Sequence, residues 1–482
     1  MFLPIYSRSV MNMQLYETSY ENFKKNIHSS VKNPSSNFYL GEARAFGDFF
    51  QDGQLSLFST SLTYSVSDPP DKASPSRFQF WTLKNGSWQE RENVFLGEII
   101  GSIHPRKSLL ADFNGDGIPD VFVVSHGFDA GTYPGEKNKL VLSSGSGHFV
   151  VRDASADIGF FHGGTAADID SDGDIDVLAV TGSGSVSFLN DGNGNFSKSL
   201  IPYFPDFINR KPYYSIELID VSGDGLPDLF LGGHEWEGAP TIVLVNPGDF
   251  NFSKVNPITL PSVKSEGVVL DFLVTGHSSE KSIWVLRTSG GDGTFYQSTV
   301  LQRVLWPSLD SSVVANVRSG DWTPWIVSKE DQYRTVVSSD SLQKPFSYAL
   351  AVDTLGTAGK AYRIYKAAFD RNPDGSGLGY WIAQMDKGME LIEVSARFVD
   401  SKEFKDLYGT NPTNAQFLTK LYENVLGRAP EAAGYNWWLN ELNTNPSKTK
   451  AKVLADFSES GENQTGVAAL IGNGIAYEPW AG

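Results

Sequence analysis

The feature that most constrains the fold of this chain is an acidic nine-residue loop that occurs three times. The copies start at Asp112, Asp168 and Asp220, lie 56 and 52 residues apart, and align without gaps. Each loop is followed at once by an apolar run, as in Asp120-Val-Phe-Val-Val. Similarity at a nearly fixed period of this length is typical of propellers and other repeat architectures, in which each repeat supplies one structural unit.

A second signal, a Gly-rich turn between two β-rich runs, alternates with the acidic loops. Its clearest copies run from Leu140 to Phe149, from Val186 to Phe196 and from Thr241 to Phe250. Such turns between β-rich runs are hairpin signals. One hairpin of each kind gives four antiparallel strands in ~50–60 residues, which predicts a propeller blade. Degenerate copies extend the pattern, and we expect six to seven four-stranded antiparallel blades over residues 40–345, with residues 1–39 as a candidate for ring closure.

The composition changes near residue 345, after which Ala, Leu, Lys and Glu recur at helical spacing. Two Arg-x-Pro turns, at Arg371 and Arg428, align at an offset of 57 residues, and each separates two helical patterns. Arg suits the end of a helix and Pro then stops it. The sequence therefore predicts a multidomain protein, an all-β propeller followed by an all-α domain over residues 346–482. This domain has two repeats, 357–412 and 413–470, and an apolar C-terminal tail.

The acidic loops place oxygen ligands at positions one, three, five and nine. Calcium takes six to eight oxygens from carboxylates, carbonyls and water, so a short acidic turn can wrap it. We expect about three calcium ions, one per loop. Position seven is included in each set, since the backbone carbonyl of Asp174 is expected to contribute. The predicted ligand sets are Asp112, Asn114, Asp116, Ile118 and Asp120; Asp168, Asp170, Asp172, Asp174 and Asp176; and Asp220, Ser222, Asp224, Leu226 and Asp228.

An alternative interpretation is that Asp-Gly clusters simply form turns, which a single copy would leave open. Three copies in register favour metal binding. A degenerate earlier copy, Asp48 to Ser56, carries Phe50 and Ser56 where ligands would be, so we expect no tight site there. Carboxylates crowded into one loop repel one another, and folding of the blades is therefore expected to depend on calcium.

Histidines recur six residues after the last acidic position of a repeat. A strand of about five residues carries the chain across a blade, so these imidazoles are expected at the rim opposite the acidic loops. A partner-contact surface at this rim is what the family resemblance given below implies, and a transition-metal triad and ordinary polar loop residues are the alternatives. Its residues are His126, His234, Glu235, Trp236 and His277. His162, just before the second loop, is expected to be a structural contact.

Charge and composition exclude several classes of protein. The chain has 39 Lys and Arg against 56 Asp and Glu, a net charge of −17, which opposes nucleic-acid binding. It has no Cys and therefore no thiolate site. No apolar run reaches the ~18 residues of a membrane span, and the N-terminus lacks a secretory signal pattern. No zinc-protease, nucleophile-elbow or phosphate-loop motif occurs, so an enzyme is the less favoured interpretation.

The repeats resemble known families. The acidic loops, with Phe46-Gly47, resemble the FG-GAP/VCBS repeats of integrin α-subunits and bacterial surface proteins over roughly residues 40–335. This resemblance implies a structural calcium at one rim of each blade and partner binding at the other. The C-terminal half resembles domain-of-unknown-function family 4214 of secreted bacterial proteins. The carried-over motif is Arg371, Pro373, Asp374, Gly377 and Trp381, with Arg428, Pro430, Glu431, Gly434 and Trp438 in the second copy.

These resemblances imply a secreted or cell-surface calcium-binding propeller protein that acts as a binding or adhesion module for a protein or glycan partner. Its location would be extracellular or at the cell surface without a classical N-terminal signal peptide. The apolar tail would then be an export signal read by a type I transporter. Two alternatives remain open, a carbohydrate-active propeller enzyme (lyase or glycosidase) and a structural surface-layer or matrix component.

Overall fold

The chain divides into two compact units in a computed structural model, Met1–Val327 with Ser339–Pro345, and Ser328–Ser338 with Phe346–Gly482. The residues that the structure describes are 39–54, 56–64, 68–84, 87–98, 101–182, 184–199, 203–265, 267–275, 281–289, 298–317, 326–330, 334–339, 347–351, 353–427, 429–472 and 474–480.

The first unit is a β-propeller with five four-stranded antiparallel blades, each made from four strands that are consecutive along the chain. The strands are β1 (Tyr39–Gly47), β2 (Ser56–Leu62), β3 (Gln79–Lys84), β4 (Ser87–Glu90), β5 (Pro105–Ala111), β6 (Asp120–Ser125), β7 (Glu136–Ser143), β8 (Phe149–Gly159), β9 (Gly163–Ala167), β10 (Asp176–Val180), β11 (Ser185–Leu189), β12 (Ser197–Lys198), β13 (Tyr213–Ile219), β14 (Asp228–Gly233), β15 (Ile242–Leu244), β16 (Ile258–Thr259), β17 (Val269–Thr275), β18 (Lys281–Ser289), β19 (Ser298–Trp306) and β20 (Ser311–Val317).

Neighbouring blades pack through apolar clusters, which explains the continuous apolar runs after the acidic loops. All six residues of β6 are buried, because both faces of this strand are covered. Phe122 in the second blade and Phe188 in the third share one cluster, and Leu178 and Leu231 share the next. The first strands of consecutive blades lie side by side, as β5 and β9 do. This packing is that of a propeller.

The register of the first hairpin in each blade separates two ends. In the second blade, Ala111 pairs with Asp120 at one end of β5 and β6, and Pro105 pairs with Ser125 at the other. Residues 112–119, which hold most of the acidic loop, therefore connect the strands at the first end. The residues just before β5 and just after β6 meet at the opposite end. The third and fourth blades repeat this arrangement.

The prediction of six to seven blades is wrong for the part of the chain that the structure describes, which forms five. After the fifth blade, β21 (Ile326–Glu330), β22 (Arg334–Ser339) and β23 (Ser347–Ala351) form a four-stranded sheet with β24 (Ile475–Tyr477) from the C-terminal end. Most residues of this sheet belong to the second unit. Local periodicity could not reveal a strand that comes from the far end of the helical region. Residues 1–38, the candidates for ring closure, lie outside the described residues.

Besides this sheet, the described part of the second unit contains eight α-helices, in two runs of four. They are α1 (Thr357–Phe369), α2 (Gly375–Asp386), α3 (Leu391–Asp400), α4 (Lys402–Tyr408), α5 (Asn414–Leu426), α6 (Ala432–Thr444), α7 (Lys450–Ser458) and α8 (Gly461–Ile471). The motif residue Asp374 caps α2 by accepting a hydrogen bond from the Gly377 amide at 2.7 Å. The predicted apolar tail ends α8 and then supplies β24. None of the described helices is long and apolar enough to span a membrane.

Candidate metal-binding loops

The acidic loops and the degenerate first copy share one turn. In all four, the carboxylate at position one accepts a hydrogen bond from the amide of position six, at 2.8–3.1 Å. The carboxylate at position five accepts one from the amide of position seven, at 2.9–3.1 Å. Asp at positions one and five thus builds the turn from side chain to backbone. The position-one residues are Asp48, Asp112, Asp168 and Asp220.

Glycine at position six is required by the backbone. Gly117 and Gly173 have φ of 80° and 100°, in the left-handed region that most side chains avoid. A Cβ at either position would meet no atom within 4 Å, so backbone conformation rather than space selects glycine. The same residue type at the same position therefore fixes the sharp bend in every copy.

The carboxylates at position nine are buried in the second, third and fourth blades. Asp120, Asp176 and Asp228 are all 0% exposed. Asp120 accepts hydrogen bonds from the Phe113 and Ser143 amides at 2.8 and 2.7 Å. Burial, assisted by the neighbouring loop carboxylates, raises the pKa of Asp120 and Asp176 to about 7 and also raises that of Asp228. A cation at the loop would offset the cost of ionising these groups.

The second acidic loop brings its carboxylates closest together. Oxygens of Asp168, Asp170 and Asp176 lie within 4.8 Å of one another. Burial and the nearby loop carboxylates raise the pKa of Asp170 and Asp174. Hard oxygen donors at this spacing fit calcium, so the residues present suit the ion that the sequence predicts. The first and third loops carry Asn114 and Ser222 at position three, and their oxygens are neutral.

The third acidic loop already has a cation beside it. Lys281 Nζ lies 3.6 Å from Asp220 Oδ1 and donates a hydrogen bond to the Asp220 carbonyl at 2.8 Å. The lysine comes from β18 of the next blade. It offsets part of the negative charge that would attract a metal ion, so this loop is the weakest of the three candidate sites.

In the degenerate copy of blade one, Asp48 to Ser56, a side chain supplies the positive charge that a metal ion would supply in an acidic loop. Arg91 Nη2 lies 3.1 Å from Asp52 Oδ2 and its guanidinium carbon sits 3.9 Å from the centre of the Phe50 ring. Phe50 in turn packs against Phe80 and Phe149 in edge-to-face contacts. An internal cation and aromatic packing therefore hold the same turn without added charge.

At the opposite end of the blades, the structure brings together two of the histidines predicted for a partner surface. His126 follows β6 and His234 follows β14, both second strands of a blade. His277 lies outside the described residues, between β17 and β18. Since β17 is the first strand of its blade, the six-residue spacing that grouped His277 with the other two is not structurally equivalent.

Aromatic and imidazole rings form a row from the second blade to the fourth at this end. The centres of successive rings are 3.9–5.1 Å apart. The ring row consists of His104, His126, Phe160, His162, Tyr214, His234 and Trp236. Sequence reasoning missed His104, Phe160 and Tyr214. For His104 the signal was present, because hairpin pairing places the residue before a first strand beside the residue after a second strand.

The predicted partner residues differ in accessibility. His126 is 0% exposed and adds no surface, whereas Trp236 is 42% exposed. Glu235 is tied up by an ion pair with the buried Arg287 at 2.6 Å. The His234 ring stacks on Trp236 at 5.1 Å between ring centres. Trp236, with the edge of His234, is therefore the part of this set that an outside molecule can reach.

Comparison with known families finds a match within each of the two units. The FG-GAP-like repeat matches residues 112–179 and 168–231, and the domain of unknown function DUF4214 matches residues 395–467. The propeller therefore contains FG-GAP-like repeats, and the helical unit contains a DUF4214 region. No curated protein matches the chain.

Three solved structures show limited similarity. The first is an Agrocybe aegerita lectin that recognises non-reducing terminal N-acetylglucosamine, with 21% identity, TM-score 0.31, and coverage of 45% of this chain and 51% of the lectin. The biofilm matrix protein Bap1 of V. cholerae has 16% identity, TM-score 0.33, and coverage of 64% and 43%. The exotype rhamnogalacturonan lyase YesX has 13% identity, TM-score 0.35, and coverage of 63% and 53%. The chain thus spans about half of each, and none of the three assigns a ligand or an activity to it.

Proposed function

We propose that this chain, whose FG-GAP-like repeats lie in a five-bladed propeller and precede a DUF4214 region, is a calcium-stabilised binding protein. The observation that carries the proposal is the second acidic loop, where three carboxylates converge within 4.8 Å and Asp176 is fully buried. Three loops of this kind would hold about three calcium ions.

Calcium would act on the structure rather than in a reaction. Each acidic loop joins the first and second strands of its blade, so an ion there fixes the hairpin that lies nearest the propeller axis. It also removes the repulsion between carboxylates that share one turn. Because the ion binds the folded loop and not the unfolded chain, its binding free energy adds to the free energy of unfolding.

The partner would bind at the opposite end, on an exposed aromatic surface. Trp236 is 42% exposed and Tyr133, which packs against Phe160 of the ring row, is 55% exposed. Exposed aromatic rings with a polar edge suit the faces of sugars and of peptide side chains. We propose a protein or glycan of a cell surface or extracellular matrix as the partner.

Calcium titration by calorimetry, combined with thermal melts in calcium and in chelator, tests the metal part of this proposal. We expect about three bound ions and a higher melting temperature in calcium. If no calcium binds, the acidic loops are only turns, and the proposal of a calcium-stabilised propeller is rejected.

Binding to an array of neutral and acidic glycans tests the partner part. Trp236→Ala should abolish any binding seen, and Trp437→Ala, which removes a 54% exposed tryptophan of the helical unit, should leave it intact. An equal loss of glycan binding in Trp236→Ala and Trp437→Ala would reject the ring row as the binding surface. Shortening of acidic polysaccharides during the assay would instead favour a lyase or glycosidase.

Export by a type I transporter is part of the same proposal and needs its own test. Deleting the tail is a poor experiment, because Ile475 and Tyr477 are buried and β24 pairs with β23. A reporter fused before residues 326–482 keeps β21–β24 and the eight helices together. It should reach the medium of bacteria that carry a type I transporter and stay inside cells that lack one; the same distribution in both would reject this route.

A further inference from the structure

Three metal-ligating side chains meet at the end of the second blade opposite its acidic loop. His104 precedes β5, His126 follows β6, and Asp129 lies three residues further on. Each offers a ligand atom, and these atoms all lie within 4.8 Å of one another. His126 Nε2 is 3.9 Å from Asp129 Oδ2, and the two imidazole ring centres are 3.9 Å apart. The hairpin register described above is what brings the two histidines together.

The protonation state of His126 follows from its contacts. Its Nδ1 lies 2.9 Å from the Gly127 carbonyl oxygen. Because a carbonyl only accepts hydrogen bonds, Nδ1 carries the proton. With the proton on Nδ1, Nε2 of the neutral imidazole keeps its lone pair. Nε2 is buried and has no hydrogen-bond partner among the described residues.

His104 is arranged in the same way. Its Nδ1 lies 2.6 Å from the Tyr64 hydroxyl, which accepts a hydrogen bond from the Asp129 amide at 3.0 Å and lies 3.4 Å from the Gly127 carbonyl. With the proton on Nδ1 of His104, Tyr64 accepts from His104 and donates to Gly127. Nε2 of His104 is then a second buried lone pair, also without a hydrogen-bond partner in the described part of the chain.

The backbone around this cluster is held in place before any ligand binds. The Glu136 carboxylate accepts hydrogen bonds from the amides of Ile103, His104 and Gly127 at 2.9, 2.9 and 3.1 Å. It therefore ties the segment that carries His104 to the segment that carries His126. Gly127 has φ of 76°, and a Cβ there would lie 2.7 Å from the Gly135 backbone. The close approach of these two turns thus requires glycine.

We propose that His104, His126 and Asp129 form a second kind of metal site, for a divalent transition-metal ion such as Zn²⁺. A set of two imidazole nitrogens and one carboxylate oxygen suits Zn²⁺, whereas calcium takes oxygen ligands and disfavours the two nitrogens. Ligand atoms around tetrahedral Zn²⁺ are roughly 3.3 Å apart, for Zn–N bonds of about 2.0–2.1 Å. Small side-chain movements would bring the three together. The Asp129 side chain is 35% exposed, so an ion has a path from solvent and an open coordination position.

One charged group opposes this site. The Arg106 guanidinium is buried and lies within electrostatic reach of His104, His126 and Asp129. It balances the Asp129 charge in the metal-free protein and repels an incoming cation. The Nδ1 contacts to Gly127 and Tyr64 favour metal binding instead, because they orient both imidazole rings and raise the basicity of their Nε2 atoms as ligands.

Cobalt titration of the full chain tests the proposal. Co²⁺ replaces Zn²⁺ and gives visible absorption that depends on its ligands, and excess calcium keeps the acidic loops saturated. We expect one Co²⁺ per chain with a tetrahedral-type spectrum, displaced by one equivalent of Zn²⁺. Failure to bind Co²⁺ or Zn²⁺ in excess calcium would overturn the proposal.

Variants assign the ion to these residues. His126→Asn keeps a donor near the position of Nδ1 and removes Nε2, and Asp129→Asn changes a partly exposed charge with little effect on packing. Each should weaken Co²⁺ binding by ~100-fold or more. His148→Asn, at the turn between β7 and β8, is the matched control and should bind normally. Unchanged affinity in the Asp129→Asn variant, with its fold verified by circular dichroism, would place the metal elsewhere and reject the site.

Discussion

The degenerate loop of blade one, which starts at Asp48, and the first acidic loop, which starts at Asp112 in blade two, make the same turn. They differ in how the charge of their carboxylates is balanced. Asp48 and Asp112 both accept from the amide of position six, and Asp52 and Asp116 both accept from the amide of position seven. In blade one, Arg91 pairs with Asp52. The counterpart of that arginine in blades two and three would be a bound ion.

The difference shows which residues make the turn and which make a metal site. Asp at positions one and five and Gly at position six are common to all copies and suffice for the turn. Positions three and nine separate the copies, since Phe50 and Ser56 stand where the second blade has Asn114 and Asp120. Blade four is intermediate, because its loop keeps the ligands but has Lys281 beside it.

The largest expected effect is that of removing calcium altogether. Each independent site adds ~2.7 kcal/mol to the free energy of unfolding when calcium is a hundredfold above its Kd, so three sites add ~8 kcal/mol. We expect chelator to lower the melting transition of the propeller strongly and that of the helical unit very little. Calorimetry with and without chelator measures both in one sample. Equal shifts of the two transitions would show that the loops are not the origin of the effect.

Neutralising one loop should remove about a third of that stabilisation. Asp172→Asn keeps the oxygen that accepts from the Asp174 amide at 3.0 Å and removes one charge of the second acidic loop. We expect a loss of ~2–3 kcal/mol in calcium and no loss in chelator, where carboxylate repulsion falls instead. Asp52→Asn is the matched control at position five of blade one, and its small effect should not depend on calcium. A loss for Asp172→Asn that persists in chelator would mean that the carboxylate only stabilises the turn.

The sequence predicted the repeats and the turn residues, because both rest on contacts within about ten residues. It could not predict the number of blades, since β24 comes from the end of the chain. Arg91 and Lys281 were also missed. Both act on a loop from a distant strand, and no local pattern links either one to its partner carboxylate. The contact between His104 and His126 was missed for a similar reason. It depends on the hairpin register, which the spacing of histidines along the sequence does not show.

Removing the lysine of blade four should turn its loop into a better site. Lys281→Met takes away a positive charge 3.6 Å from Asp220 Oδ1, which at a partly exposed position is worth about 1 kcal/mol, or roughly fivefold in calcium affinity. Calorimetric titration should show the weakest of three binding steps becoming tighter. Lys264→Met, which removes an exposed lysine before blade five, controls for net charge. An equal gain in both variants would attribute the effect to the overall charge of the protein.

The smallest effect on stability is expected for a substitution of Arg91, the internal cation at the loop of blade one. Arg91→Met removes a half-exposed ion pair with Asp52 and the contact of the guanidinium with Phe50, which together are worth ~1 kcal/mol. Because we expect no calcium at this loop, the loss should be the same in calcium and in chelator, as thermal melts would show. If calcium instead restored the stability of Arg91→Met, the loop would take up an ion once its arginine is gone. Positions one and five would then suffice for binding, and the distinction drawn from Phe50 and Ser56 would fail.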